Sequence, residues 1–218
     1  NAAERLAQRF EIAARERAAW VVEGFKIPLE QLASVQRLFG SVGNVEREVF
    51  ENFSAPLISR DGLSGIRWAP LVRADGRREF ELLGRSLWGP EFSIQENDED
   101  GYFYVAETRA QYFPILYATP RVEVSKGLGL DVLRVPERGQ ILNEAIEHGH
   151  AVASVVGQSI ADVMPFGDTV ALALPVYRGG VVPEEPEVRH REARGVLLGL
   201  LDIGALFDAA NEKGQRND

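Results

Sequence analysis

Residues 112–154 constrain the fold of this chain more than any other stretch. Tyr112, Phe113, Pro114, Ile115, Leu116 and Tyr117 read as a strand. Phe113, Ile115 and Tyr117 share one face at period two. Pro114 has no amide to give to a ladder, so this strand lies at a sheet edge or breaks there. A polar loop follows, with Gly127, Gly129 and Asp131. Pro136 suits the first turn of a helix, where a missing N–H costs nothing. Ile141, Leu142, Ala145 and Ile146 then form an apolar stripe at helical spacing. Gly149 is placed to end that helix in a left-handed turn. A second strand starts at Ala151, giving a strand–loop–helix–strand unit.

The 218 residues suit one large domain or two small ones and can bury a sizeable core. Net charge is −9, with the acidic residues spread along the chain. A nucleic-acid backbone or an anionic membrane surface would need the opposite balance. There are no cysteines, so disulfides and thiolate zinc sites are excluded. No apolar run approaches the roughly 20 residues that cross a bilayer. Asn1 and Ala2 read as the remnant of a cleaved tag, and the whole as an excised soluble piece.

In chain order, residues 3–42 are helical. Leu6, Phe10, Ala13, Arg17, Trp20, Gly24 and Ile27 step by four and three, as in a heptad seam. That spacing serves equally an amphipathic helix packed on its own domain and a stalk that pairs with a second copy. Pro28 should kink or break it. Leu32, Val35, Leu38, Phe39 and Val42 continue an apolar face, and Gly40 and Gly43 end it. Asn44 is the expected cap of a second helix, with Val49, Phe50, Phe53 and Leu57 as its buried face. Residues 65–72 read as a strand with Trp68 in the core. Asp75 should cap a short helix to about Leu83. Residues 92–95 and 102–107 read as strands joined by a solvated acidic turn, residues 96–101. Further strands are expected at 151–158, 168–177 and 195–203, a loop at 178–192, and a closing helix at 204–213. In the strand at 168–177, Val170, Leu172, Leu174 and Val176 form one bulky face. The class is α+β with antiparallel sheets.

Catalytic groups do not assemble. His148 and His150 lie two apart at a helix end and share no helical face, so a surface role fits better than metal. There is no nucleophile elbow, phosphate loop or dinucleotide fingerprint. The residues support no enzyme and call for no cofactor. A ligand pocket remains, being mainly apolar with a few placed polar groups.

The chain resembles the CHASE family, the extracytoplasmic sensing domain of membrane-bound histidine kinases, diguanylate cyclases and cyclic-di-GMP phosphodiesterases. The resemblance rests on several pieces in order. They are the Tyr112-Phe113-Pro114 strand, Gly129 and Asp131, the Pro136-Glu137-Arg138 helix start and the small-hydroxyl strand at Ser154. Gly65-Ile66-Arg67-Trp68-Ala69-Pro70, Leu174-Pro175-Val176-Tyr177 and Arg194-Gly195-Val196-Leu197 complete it. It implies a long N-terminal stalk helix carrying two PAS-like antiparallel modules, one membrane-distal and one membrane-proximal. Residues 1–58 would be the stalk and following helices, 59–178 the distal module, and 179–218 the rest of the proximal module with the C-terminal helix. It further implies a homodimer through the N-terminal helix, transmembrane helices outside this stretch and a periplasmic location.

Within such a pocket Tyr104, Tyr117 and Leu174 would supply apolar walls; Thr119, Asp131, Arg138 and Ser154 would supply hydrogen bonds and charge. Tyr117 and Leu174 also suit a plain core. Asp131 equally suits an ion pair with Arg134 or Arg138, or a cap on the following turn. Ser154 suits a backbone contact. Plant cytokinin receptors of the family set a carboxylate against adenine where this chain has Pro120. That change argues for a different small-molecule ligand.

Overall fold

The computed structural model describes residues 23–59, 62–98, 101–120, 127–134, 136–154 and 169–204. Their helices and strands follow in the order α1 (Lys26–Ser41), α2 (Arg47–Ser54), β1 (Leu63–Pro70), β2 (Val72–Arg73), α3 (Arg77–Trp88), β3 (Gln95–Asn97), β4 (Phe103–Val105), β5 (Gln111–Tyr112), β6 (Tyr117–Thr119), α4 (Pro136–His148), β7 (Val152–Ala153), β8 (Thr169–Tyr177), α5 (Pro186–Glu192) and β9 (Ala193–Asp202). One antiparallel sheet has the order β6-β1-β9-β8-β7, and two small ladders pair β2 with β5 and β3 with β4. The α+β antiparallel expectation holds.

Strand β9 is the spine of the sheet. It pairs with β8 from Thr169↔Asp202 to Tyr177↔Ala193 and with β1 from Leu63↔Leu201 to Pro70↔Gly195. The expected change of module at residue 178 therefore falls within the connection between two strands of one sheet. Registry sorts the side chains into two faces. Trp68, Leu197 and Leu174 stand side by side, next to Tyr117 on β6. Helix α1 lies over this face. The Phe39 ring sits 4.2 Å from Trp68, and Leu32 comes down on Gly199, where any Cβ would meet it at 3.3 Å. Helix α2 covers the β6 end, with Phe50 5.4 Å from the Tyr117 ring. The other face presents Arg67, Leu198 and Ala173 in one row. Helix α4 packs there against β8 and β7. The alternation of bulky and small residues along β8 thus seats one helix on leucines and the other on alanines.

Several local expectations hold for their stated reasons. Residues 23 and 24 are helical, Phe25 is a turn and α1 starts at Lys26, so the break falls where the Pro28 ring would meet the preceding turn. Leu32, Val35 and Phe39 are buried along α1. Pro114 interrupts the strand: β5 stops at Tyr112, β6 resumes at Tyr117, and β6 is an edge strand. Pro136 opens α4. Gly149 closes it at φ +76°, its amide donating to Ala145 at 2.8 Å.

Others need correction. Asn44 caps nothing; α2 starts after Glu46, and no side chain caps it. Its buried residues are Phe50 and Ser54, one turn apart, while Val49 and Phe53 face solvent. Val42 lies beyond α1 in extended backbone and is also exposed. Asp75 stands in a 3-10 turn ahead of α3, which runs on to Trp88. Residues 186–192 form helix α5, opened by Pro186, where a loop was expected. The heptad seam up to Trp20, the strand past Ser154 and the helix past Gly204 lie outside the described residues.

Helix α1 ends on bare backbone. A Cβ on Gly40 would sit 2.9 Å from the Gly180 Cα, in the 3-10 turn after β8. The Arg194 guanidinium closes the helix, donating to the carbonyls of Phe39, Val42 and Gly43 at 2.6, 3.2 and 2.5 Å. Gly40→Ala is expected to destabilise the domain by about 1–3 kcal/mol, because neither backbone can yield like a side chain. Urea denaturation of the variant against the parent checks this.

Tyr177 gives a pH signature. Its buried hydroxyl donates to the Ile146 carbonyl at 2.8 Å, and burial pushes its pKa up to about 12, with Arg189 acting weakly against. A raised acid contributes stability that is complete below its unfolded value, about 10, and lost as pH climbs through the folded value. Stability should therefore fall between pH 10 and 12, and Tyr177→Phe should flatten that part of the decline in thermal melts.

Candidate functional site

The seven candidate residues do not meet in one cavity. They occupy four places, each fixed by the elements just described.

Asp131 belongs to a buried charge cluster. It is fully buried. Its Oδ1 accepts the amides of Phe113 and Leu133 at 2.8 and 3.2 Å, and its Oδ2 accepts Arg109 at 3.2 Å. The partner is therefore Arg109, not Arg134 or Arg138. Arg109 also binds Glu96, which is itself buried and accepts the Glu107 amide at 3.2 Å. Glu96 was expected in a solvated turn; instead it opens inward from β3. The Tyr104 hydroxyl donates to it at 3.4 Å, and Arg134 lies 3.6 Å away. The Tyr112 ring carries Arg77 and Arg109 against it at 5.1 and 5.6 Å. Burial raises the Asp131 pKa above its ordinary value, while the two amides and Arg109 act against burial. Both Asp131 oxygens are thus engaged by the protein. The cluster ties the β3–β4 hairpin to β5 and the 127–134 loop.

Tyr117, Thr119 and Leu174 lie on the face under α1 and α2. Tyr117 and Leu174 are core side chains there. The Thr119 hydroxyl pairs with Ser54 of α2 at 2.6 Å, and Ser54 in turn donates to Phe50 at 2.6 Å. Ser154 follows β7 and accepts the Ala171 amide at 2.9 Å, the backbone contact foreseen for it. Tyr104 stands half exposed on the β3–β4 hairpin and lines an open groove of about 800 Å³ with Trp88, Phe92 and Phe103.

Arg138 lies on the other side of the sheet, in the first turn of α4. That turn is pressed onto the 132–134 turn, since a Cβ on Gly139 would stand 2.3 Å from the Leu133 carbonyl. Arg138 is 7% exposed and Arg67 of β1 is 6% exposed. Arg67 Nη1 donates to the carbonyls of Ile66, Thr119 and Pro120 at 3.2, 3.0 and 3.4 Å. The Arg138 Nη1 is buried without a hydrogen-bond partner. No carboxylate among the described residues pairs with either guanidinium. Burial first, and then the neighbouring Arg138, pull the Arg67 pKa down to about 10; burial alone lowers that of Arg138. Two cations held close together and out of water are unfavourable unless something anionic joins them.

Arg67 escaped sequence reasoning as a site residue. Its signal was present: one charge in the middle of an apolar strand. Arg109, between Thr108 and Ala110, carried none. His148 and His150 stack at 5.5 Å, both exposed, and no group of metal-ligating residues occurs among the described residues. No described helix is long and apolar enough to cross a membrane.

Arg109→Met is expected to destabilise the domain by about 3–5 kcal/mol, since it strands two buried carboxylates. The triple variant with Glu96→Gln and Asp131→Asn added should recover part of that loss. Chemical denaturation of the series tests the coupling.

Among solved structures the chain is similar to the ligand-binding domain of the Pseudomonas aeruginosa PAO1 amino-acid chemoreceptor PctC, in complex with GABA. Identity is 10% and the TM-score 0.46, over 86% of this chain and 58% of that one. The chain thus spans less than two thirds of that domain. The search of curated proteins gave no match. The sequence model of the CHASE domain matches residues 43–218. That span takes in β1, β6, α4, β8 and β9, the elements that carry the resemblance, and the chain belongs to the CHASE domain family.

Proposed function

We propose that this chain is the extracytoplasmic small-molecule sensing domain of a membrane-bound bacterial signalling protein. The observation that carries the reading is the pair of buried guanidiniums, Arg67 and Arg138, held between the sheet and α4 without a counter-charge among the described residues. A domain that served only as a spacer would gain stability by replacing them with apolar side chains. A recognition domain retains such groups because a ligand completes them.

In this reading the sheet and α4 form a PAS-like ligand-binding module, and Arg138 and the Thr119 end of β6 belong to the ligand site. Helix α1 is the lower end of the signalling path, dimerising through its N-terminal continuation. A cytoplasmic kinase or cyclic-di-GMP enzyme receives the signal. Binding must favour one of two arrangements of the helices, because a ligand equally suited to both shifts nothing. The domain itself carries out no chemistry.

Native mass spectrometry of the purified domain should show a bound small molecule or, after its removal, a rise in melting temperature with members of a metabolite screen. A saturating ligand at about 100 times its Kd stabilises by about 2.7 kcal/mol, well within reach of a thermal shift. A domain that neither carries nor is stabilised by any small molecule would be an interaction module instead.

A further inference from the structure

We propose that the ligand presents an anionic group, a carboxylate or a phosphoryl group, to Arg67 of β1 and Arg138 of the first turn of α4. The inference rests on the sensing reading and names its ligand class. Three features converge on it. Both guanidiniums are more than nine-tenths buried. Their hydrogen bonds leave donors over: Arg67 engages only Nη1, with backbone carbonyls, so Nε and Nη2 are free of partners among the described residues. Arg138 has no partner there at all, and its Nη1 is buried.

The elements around them also suit an anion. Arg138 projects from the first turn of α4, where the helix dipole is positive and the leading amides lack helical acceptors. Gly65, next along the same face of β1, leaves room for the Arg67 guanidinium. A Cβ there would stand 3.2 Å from the Arg67 guanidinium and 3.3 Å from the Thr119 carbonyl. Glu96 and Asp131, the buried carboxylates among the described residues, are committed to Arg109. Two planar forks with spare N–H groups match the paired oxygens of a carboxylate or phosphate. A neutral ligand would leave both charges uncompensated.

Thermal shift and titration calorimetry on the domain test this with sodium succinate, sodium phosphate and neutral succinamide, each against sodium chloride at equal ionic strength. Succinate or phosphate should raise the melting temperature above the salt control, and succinamide should not. The stronger of the two anions identifies the carboxylate or the phosphoryl source. Arg67→Gln and Arg138→Gln should each weaken anion binding about 10- to 100-fold, the range for a lost charged hydrogen bond.

Arg138→Met should raise the melting temperature without added anion while abolishing the anion shift; a merely structural arginine would do the reverse. Equal stabilisation by succinamide, or unchanged anion binding in Arg138→Gln, overturns the anionic class. If neutral molecules bind and anions do not, the sensing reading stands and this inference falls. If native mass spectrometry, the metabolite screen and these probes all show no binding, both fall.

Discussion

The fold depends on strand β9 being covered on every side. It pairs along its length with β8 on one edge and β1 on the other, and helices close both faces of the sheet. Such a strand can carry almost nothing but apolar residues, and Val196, Leu197, Leu198, Leu200 and Leu201 are all buried. Gly199 is the deliberate gap among them, the place where Leu32 of α1 reaches the sheet. Most groups with chemical character lie away from it, on the β6 edge, the β3–β4 hairpin and the first turn of α4, with Arg67 of β1 beside it opposite Leu198.

Two kinds of buried charge follow, and they differ in how they are balanced. In the hairpin cluster a single guanidinium is shared between Glu96 and Asp131, with backbone amides taking up the remaining lone pairs. That is a closed arrangement, and it acts as a clasp. At Arg67 and Arg138 the charges have the same sign, and among the described residues only backbone carbonyls answer one of them. The contrast lies in charge balance rather than in burial or residue type, since all four side chains are buried and ionisable.

Much of the scaffold was legible in the sequence because its signals are local. Pro114 marked the break between β5 and β6, Pro136 and Gly149 bracketed α4, and the alternation through Val170, Leu172, Leu174 and Val176 gave β8 its faces. The site was less legible because its geometry is not local. Tyr117 and Thr119 sit in the same strand as Pro120, yet their side chains turn to α1 and α2 while Arg138 waits on the opposite face. Asp131 was paired with Arg134 or Arg138 by nearness in sequence, whereas its partner Arg109 arrives from before β5. Asn44 and Asp75 have good capping chemistry, but α2 and α3 start where packing of Phe50 and Phe80 requires, with Glu46 and Gly76 at the cap positions two and one residues further on. Propensity proposes an end for a helix, and the core decides it.

The contact of Gly40 with Gly180 has a mechanical meaning. Most helices rest on a sheet through side chains, which can change rotamer and absorb small displacements. Here the last turn of α1 meets the turn after β8 main chain to main chain, and Arg194 fastens the helix end to the start of β9. At that point no side-chain layer separates the helix from the turn that follows β8. A shift in the β8–β9 connection therefore reaches the last turn of α1 with no side chain between the two backbones to take it up.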